Sequence, residues 1–167
     1  FNDNIRDSIK GGTFNPYDKG FVSGNRNAAS TLRRGIAGSV PHYQINDAKE
    51  ACWAFEPTQA VNYCEAHDNN TLWDKLCISA KNDSEGVRIK MDKLAAAIVI
   101  LSQGMPFIQL GQDFLRSKPR ILKEGEAPND VNIYSHDSYN APDYTNSIKW
   151  NRKLEYKAVS YTHLRAH

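Results

Sequence analysis

The sequence lacks any apolar run long enough to cross a bilayer as a helix. Its charges nearly cancel, 21 Lys and Arg against 19 Asp and Glu, so it offers no electrostatic footprint for nucleic acid or a membrane surface. Cysteine is scarce. Cys52, Cys64 and Cys77 are odd in number and widely spaced, which suits neither a disulfide framework nor a zinc site and makes buried free thiols the expectation. Free thiols also favour a cytoplasmic location over secretion. There is no phosphate-cradling glycine loop, redox cysteine pair or metal-ligand cluster, so no cofactor is expected. The sequons at Asn69 and Asn82 are no more than chance supplies. The chain opens on Phe1, without an initiator methionine or signal peptide, which suggests an excised piece.

What is present is globular. With 167 residues, 40% of them hydrophobic, the chain is long enough for one domain with a core. Ala60 to Leu76, AVNYCEAHDNNTLWDKL, is its most informative stretch. Val61, Tyr63 and Glu65 fall on one face of a strand and Asn62 and Cys64 on the other. His67-Asp68-Asn69-Asn70 is a polar tip with no apolar neighbour to bury it. Thr71 with Asp74 three places on is a capping-box pattern opening a short helix through Leu72, Trp73 and Leu76. By residue type alone, His67-Asp68 is an exposed turn whose Asp68 or Asn69 caps that helix.

On either side the pattern is also readable. Ile5 and Ile9 mark a short amphipathic helix ended by Gly11-Gly12, with Arg6 and Asp7 as a solvated charge pair. A helix within Asn25 to Val40 ends near Gly35 to Gly38. Pro41 to Thr58 is irregular, and its Tyr43, Trp53 and Phe55 suit packing under a loop better than sugar stacking. Lys81 to Lys90 reads as charged and exposed. Met91 to Gln103 is a helix, with Leu94, Ala97, Ile98 and Leu101 in register, apolar enough all round to be well buried, and with Gly104 at its C-terminal cap. Met105 to Leu110 then fits a buried parallel strand, completing strand, helix, strand as a βαβ unit. GQDFLRSK is a second polar tip, where Gln112, Asp113 and Arg116 form either an ion-paired loop or a plain surface bridge. Lys118 to Val131 has little periodicity. Asn140-Ala141-Pro142-Asp143 is a turn, with a further helix from Arg152.

The string VNYCEAHDNNTLWDKL closely resembles the seventh-strand motif of the α-amylase superfamily of glycoside hydrolases (family 13), in the form used by type I pullulanases. FNDNIRDSIKG with KGFVSG, GQDFLRSK, and SYNAPDYTNSIKW resemble further elements of that family, from beyond the sixth barrel strand to the eighth. Asp113 stands where glutamate is usual, and Asp137 where the last motif opens on asparagine. The resemblance implies an α/β fold: part of a (β/α)8 barrel over residues 1–157, from after strand 6 through strand 8 and the start of helix 8. It stops there, and SYTHLRAH within 158–167 has the look of a non-native tail.

The resemblance further implies an α-glucan substrate and a debranching parent enzyme acting on α-1,6 bonds by a retaining mechanism. Asp68 is implied as the transition-state stabiliser, and His67, Asn69, Trp73, Asp143 and Asn146 as substrate contacts; no metal ligand is implied, and calcium in the parent is not assignable here. The nucleophilic aspartate and the acid glutamate belong to strands this chain does not contain, so the remainder of the barrel is its expected partner and the piece alone is expected to be inactive and aggregation-prone. The alternatives are a relative acting on α-1,4-glucans and a non-catalytic polysaccharide-binding piece.

Overall fold

The computed structural model describes residues 1–45 and 52–156. The proposed non-native tail, part of the irregular segment 41–58 and the far end of the last predicted helix lie outside the described residues.

The chain begins with α1 (Asp3–Lys10), capped by Asn2, whose side chain accepts from the Ile5 amide, and buries Ile5 and Ile9 completely. α2 (Ala29–Ile36) crosses it closely at Gly35, where a Cβ would lie 2.8 Å from that of Ile5. No larger residue fits between the two helices without separating them.

Next come β1 (Val61–Asn62), α3 (Leu72–Ser79), α4 (Glu85–Leu101) and β2 (Met105–Pro106). β1 and β2 pair in parallel, with Val61 opposite Met105 and Asn62 opposite Pro106, so the βαβ connection read from the sequence is present. Both strands are shorter than their sequence patterns suggest, and β2 is exposed rather than buried, as is Leu110 beyond it. Residues 62–65 are all buried rather than alternating, because both sides are covered. Cys64 joins the core with Leu72, Leu76, Ala95 and Val99, while Tyr63 meets Phe1 and Phe107 edge-on on the other side. A buried amide chain holds β1 in place: Asn2 donates to Asn62 at 2.9 Å, and Asn62 donates to the Gln103 carbonyl at 2.7 Å.

Several expectations need correction. α4 starts at Glu85, six residues before the apolar repeat, because Ser84 accepts from the Val87 amide and caps it. Only part of that helix is buried: Leu94, Ile100 and Leu101 are exposed, since no described element covers that face. Ser102, not Gly104, caps its end. Gly104 serves the sheet, with φ +119° and a Cβ position only 2.8 Å from the Ala60 carbonyl oxygen. Tyr43, Trp53 and Phe55 are exposed rather than packed. Of the three free thiols, Cys64 is buried and Cys52 and Cys77 are half-buried. Two short helices, α5 (Asp143–Asn146) and α6 (Asn151–Glu155), follow the second polar tip.

Candidate active-site rim

The polar tip after β1 is shaped from both ends. Thr71 accepts from the Asp74 amide at 3.1 Å and caps α3. The reciprocal half of the capping box does not form. The buried Asp74 carboxylate instead accepts from the Ser117 hydroxyl and, at 2.8 Å, from the Lys118 amide. Burial raises its pKa to about 6 despite those donors. At the other end the Glu65 carboxylate accepts from the Leu72 amide, and burial raises its pKa to about 7. Between them Asn69 takes a left-handed conformation (φ +59°), which asparagine tolerates better than most residues. That turn puts His67 and Asp68 outward, while Asn70, expected to be exposed, is buried.

His67 Nε2 lies 3.6 Å from Asp68 Oδ2, with the side chains 86% and 76% exposed, so the pair is open to a ligand. A pocket of about 220 Å³ is lined by His67, Asp68, Arg116, Ser138, Tyr139 and Asn146. The Asp68 carboxylate thus faces the loops after β2 and before α5, not the apolar interior. Arg116 donates to the backbone carbonyls of Leu110 and Asn146, and Asn146 Nδ2 donates to those of Ser138 and Ala141. The wall of the pocket is therefore braced by side chains that hold backbone.

Other sequence-predicted residues are placed differently. Asn69 is not among the residues that line the pocket; its side-chain amide lies 3.3 Å from His136 Nε2. Asp143 is exposed in the first turn of α5, outside the pocket lining. Trp73 is not brought to the rim: it is 7% exposed, packs with Leu115, Cys77, Ile89 and Tyr156, and has Arg88 over its ring. Arg6 and Asp7 are more than a solvated pair. The Arg6 side chain is 15% exposed and donates to Asp7 at 2.6 Å and to the Tyr63 hydroxyl at 2.8 Å; that hydroxyl donates to Asp3.

Lys118 escaped sequence reasoning, since a lysine in a polar loop gives no sign of burial. It is fully buried, and its ammonium donates to the His67 carbonyl and to Ser138 Oγ. Among the described residues no group of three or more His, Cys, Asp or Glu is placed to hold a metal ion.

No protein-family profile matches the chain. It is 36% identical over 157 residues to the pullulanase of Bacillus subtilis strain 168, an alignment covering 94% of this chain and 19% of that protein. The pullulanase of Paenibacillus barengoltzii, solved in complex with maltohexaose and α-cyclodextrin, superposes with a TM-score of 0.79 at 38% identity, over 95% of this chain and 22% of that one. The maltotriose complex of the Anoxybacillus sp. LM18-11 pullulanase gives 0.74 at 37% identity, over 95% and 19%. The chain is pullulanase-like. It spans about one fifth of the length of the relatives it matches. Across the described residues the pullulanase-like piece is α/β, helices around a two-stranded parallel sheet.

Proposed function

We propose that residues 1–157 are the C-terminal part of the catalytic barrel of a pullulanase-type debranching hydrolase of the α-amylase superfamily, from beyond the sixth strand to the start of the eighth helix. The parent hydrolyses α-1,6-glucosidic bonds in pullulan, starch or glycogen with retention. Such cleavage needs an acid to protonate the leaving oxygen and a carboxylate nucleophile roughly 5–5.5 Å away. Both come from the remainder of the barrel, so this piece alone is inactive.

In this reading Asp68 is the third carboxylate. It accepts from glucose hydroxyls beside the scissile bond, while His67 donates to the same ring and Asn69 and Asn146 bound it. Hydrogen bonds of this kind strengthen as the ring acquires oxocarbenium charge, so they lower the barrier rather than merely hold substrate.

The observation that carries the proposal is the exposed Asp68 carboxylate sharing a pocket with Arg116, Ser138, Tyr139 and Asn146. Both polar tips that build it follow the carboxyl ends of parallel strands, where α/β barrels place their sites.

The test is a chimera in which residues 1–157 replace the matching segment of the B. subtilis pullulanase. It should hydrolyse pullulan. Asp68→Asn should lower kcat by about 10²–10³-fold or more with a smaller change in KM. A folded chimera whose Asp68→Asn variant keeps full kcat would overturn the assignment.

A further inference from the structure

The loop 66–71, which carries His67 and Asp68, is closed at its base by one hydrogen bond. The Glu65 carboxylate, just before the loop, accepts from the amide of Leu72, the first residue of α3. Both residues are fully buried, and Leu72 lies in the core with Cys64, Leu76 and Val99. The first amides of a helix have no partner within it, so a carboxylate placed there satisfies a donor that burial would otherwise strand. Thr71 serves a different amide, that of Asp74, so neither acceptor replaces the other.

Asp68 has no anchor of its own. Its side chain is mostly exposed, and its contact at 3.6 Å is with His67, an equally exposed residue of the same loop. Its direction is therefore set by what holds the loop. Lys118 grips the His67 carbonyl from outside, whereas Glu65 fixes how far apart the two ends of the loop stand. A loop whose ends can separate swings its tip, and a displacement of about 1 Å is enough to cost a catalytic group much of its effect.

Glu65 is also an expensive residue to keep. Its second oxygen is buried with no hydrogen-bond partner among the described residues, as are both oxygens of Asp92 on α4. Burying a carboxylate in such surroundings lowers stability, and groups of that kind concentrate where function requires them.

We propose that Glu65 is a positioning residue: its bond to the Leu72 amide sets the span of loop 66–71 and so aims the Asp68 carboxylate at the sugar ring. It touches no substrate atom itself. The proposal rests on the reading of Asp68 as the third carboxylate and names what holds that carboxylate in line.

The experiment uses the chimera described above, in which the barrel is complete. Glu65→Met fills similar space without an acceptor, and Glu65→Gln keeps one. On pullulan, Glu65→Met should lower kcat about 10–100-fold and change KM less than about threefold, because a misaimed Asp68 loses transition-state stabilisation before ground-state binding. Glu65→Gln should recover most of kcat. Leu72→Pro removes the donor instead, at the first helical position where proline is tolerated, and should match Glu65→Met. The double variant should lose no more than either single one, the signature of a shared bond. Val99→Ala, which opens the same core away from the loop, should lower the melting temperature and leave kcat within about twofold.

Full kcat in a folded Glu65→Met or Leu72→Pro chimera, beside a large loss for Asp68→Asn, would overturn the positioning role and leave the Asp68 reading intact. So would an equal loss for Glu65→Gln and Glu65→Met, or a loss confined to KM. Full kcat for Asp68→Asn would overturn the Asp68 reading and this role together.

Discussion

The Lys118 ammonium lies 2.9 Å from the carbonyl oxygen of His67, joining the loop after β2 to the tip that carries Asp68. The same ammonium reaches Ser138 Oγ at 3.1 Å, so one buried cation fixes three segments of the rim. Lys118→Met should therefore leave the His67 carbonyl with only the long 3.5 Å contact from the Ser138 hydroxyl. The expected loss is about 1–3 kcal/mol, read as a lower urea midpoint, with faster proteolysis near residues 136–140. An unchanged midpoint and cleavage pattern would show that the ammonium is not what holds the rim.

The cap of α3 should be separable from the brace. Thr71→Ala removes the acceptor for the Asp74 amide and should cost about 1 kcal/mol. Asp74→Ala should cost more, about 2–4 kcal/mol, because it strands the Lys118 amide and the Ser117 hydroxyl as well. A smaller loss for Asp74→Ala than for Thr71→Ala would refute this ordering.

Stability should depend on pH with two opposite slopes. Burial raises Glu65 to about 7 and Asp74 to about 6, so between their ordinary carboxylate range and those values the folded state binds more protons than the unfolded chain. Their contribution therefore falls as pH rises from about 4 to 7. Burial lowers Lys75 and Lys118 to about 8. Between that value and the ordinary lysine range the unfolded chain binds more protons, so their contribution rises with pH from about 8 to 10. Urea midpoints across pH 4–10 should show a trough between 7 and 8, and Asp74→Asn should flatten its acid side.

The uncovered face of α4 should make the isolated chain self-associate. Leu94, Ala97, Ile98 and Leu101 line a shallow apolar groove with Ile36 of α2. Light scattering should find oligomers for the native sequence, and the double substitution Leu94→Lys, Leu101→Lys should shift it toward monomer. A native chain that is monomeric with a sharp two-state melt would contradict this expectation.

The local elements are legible in the chain's own residues: α1 from Ile5 and Ile9, α3 from Thr71 and the residues after it, and the parallel strand-helix-strand order from their periodicities. The sequence also singled out the polar tip of residues 67–70, since four polar residues between two apolar segments leave a local trace. Which of these residues meet was settled by packing between elements distant in the chain. Trp73 was turned inward by its neighbours Leu115 and Tyr156, Lys118 was buried under the rim, and Ser138 and Tyr139 were set in the wall of the Asp68 pocket. The physical reason is range: capping and periodicity act within about a turn or two of chain, whereas the bond from Lys118 to His67 spans 51 residues and exists only once the elements between them have packed.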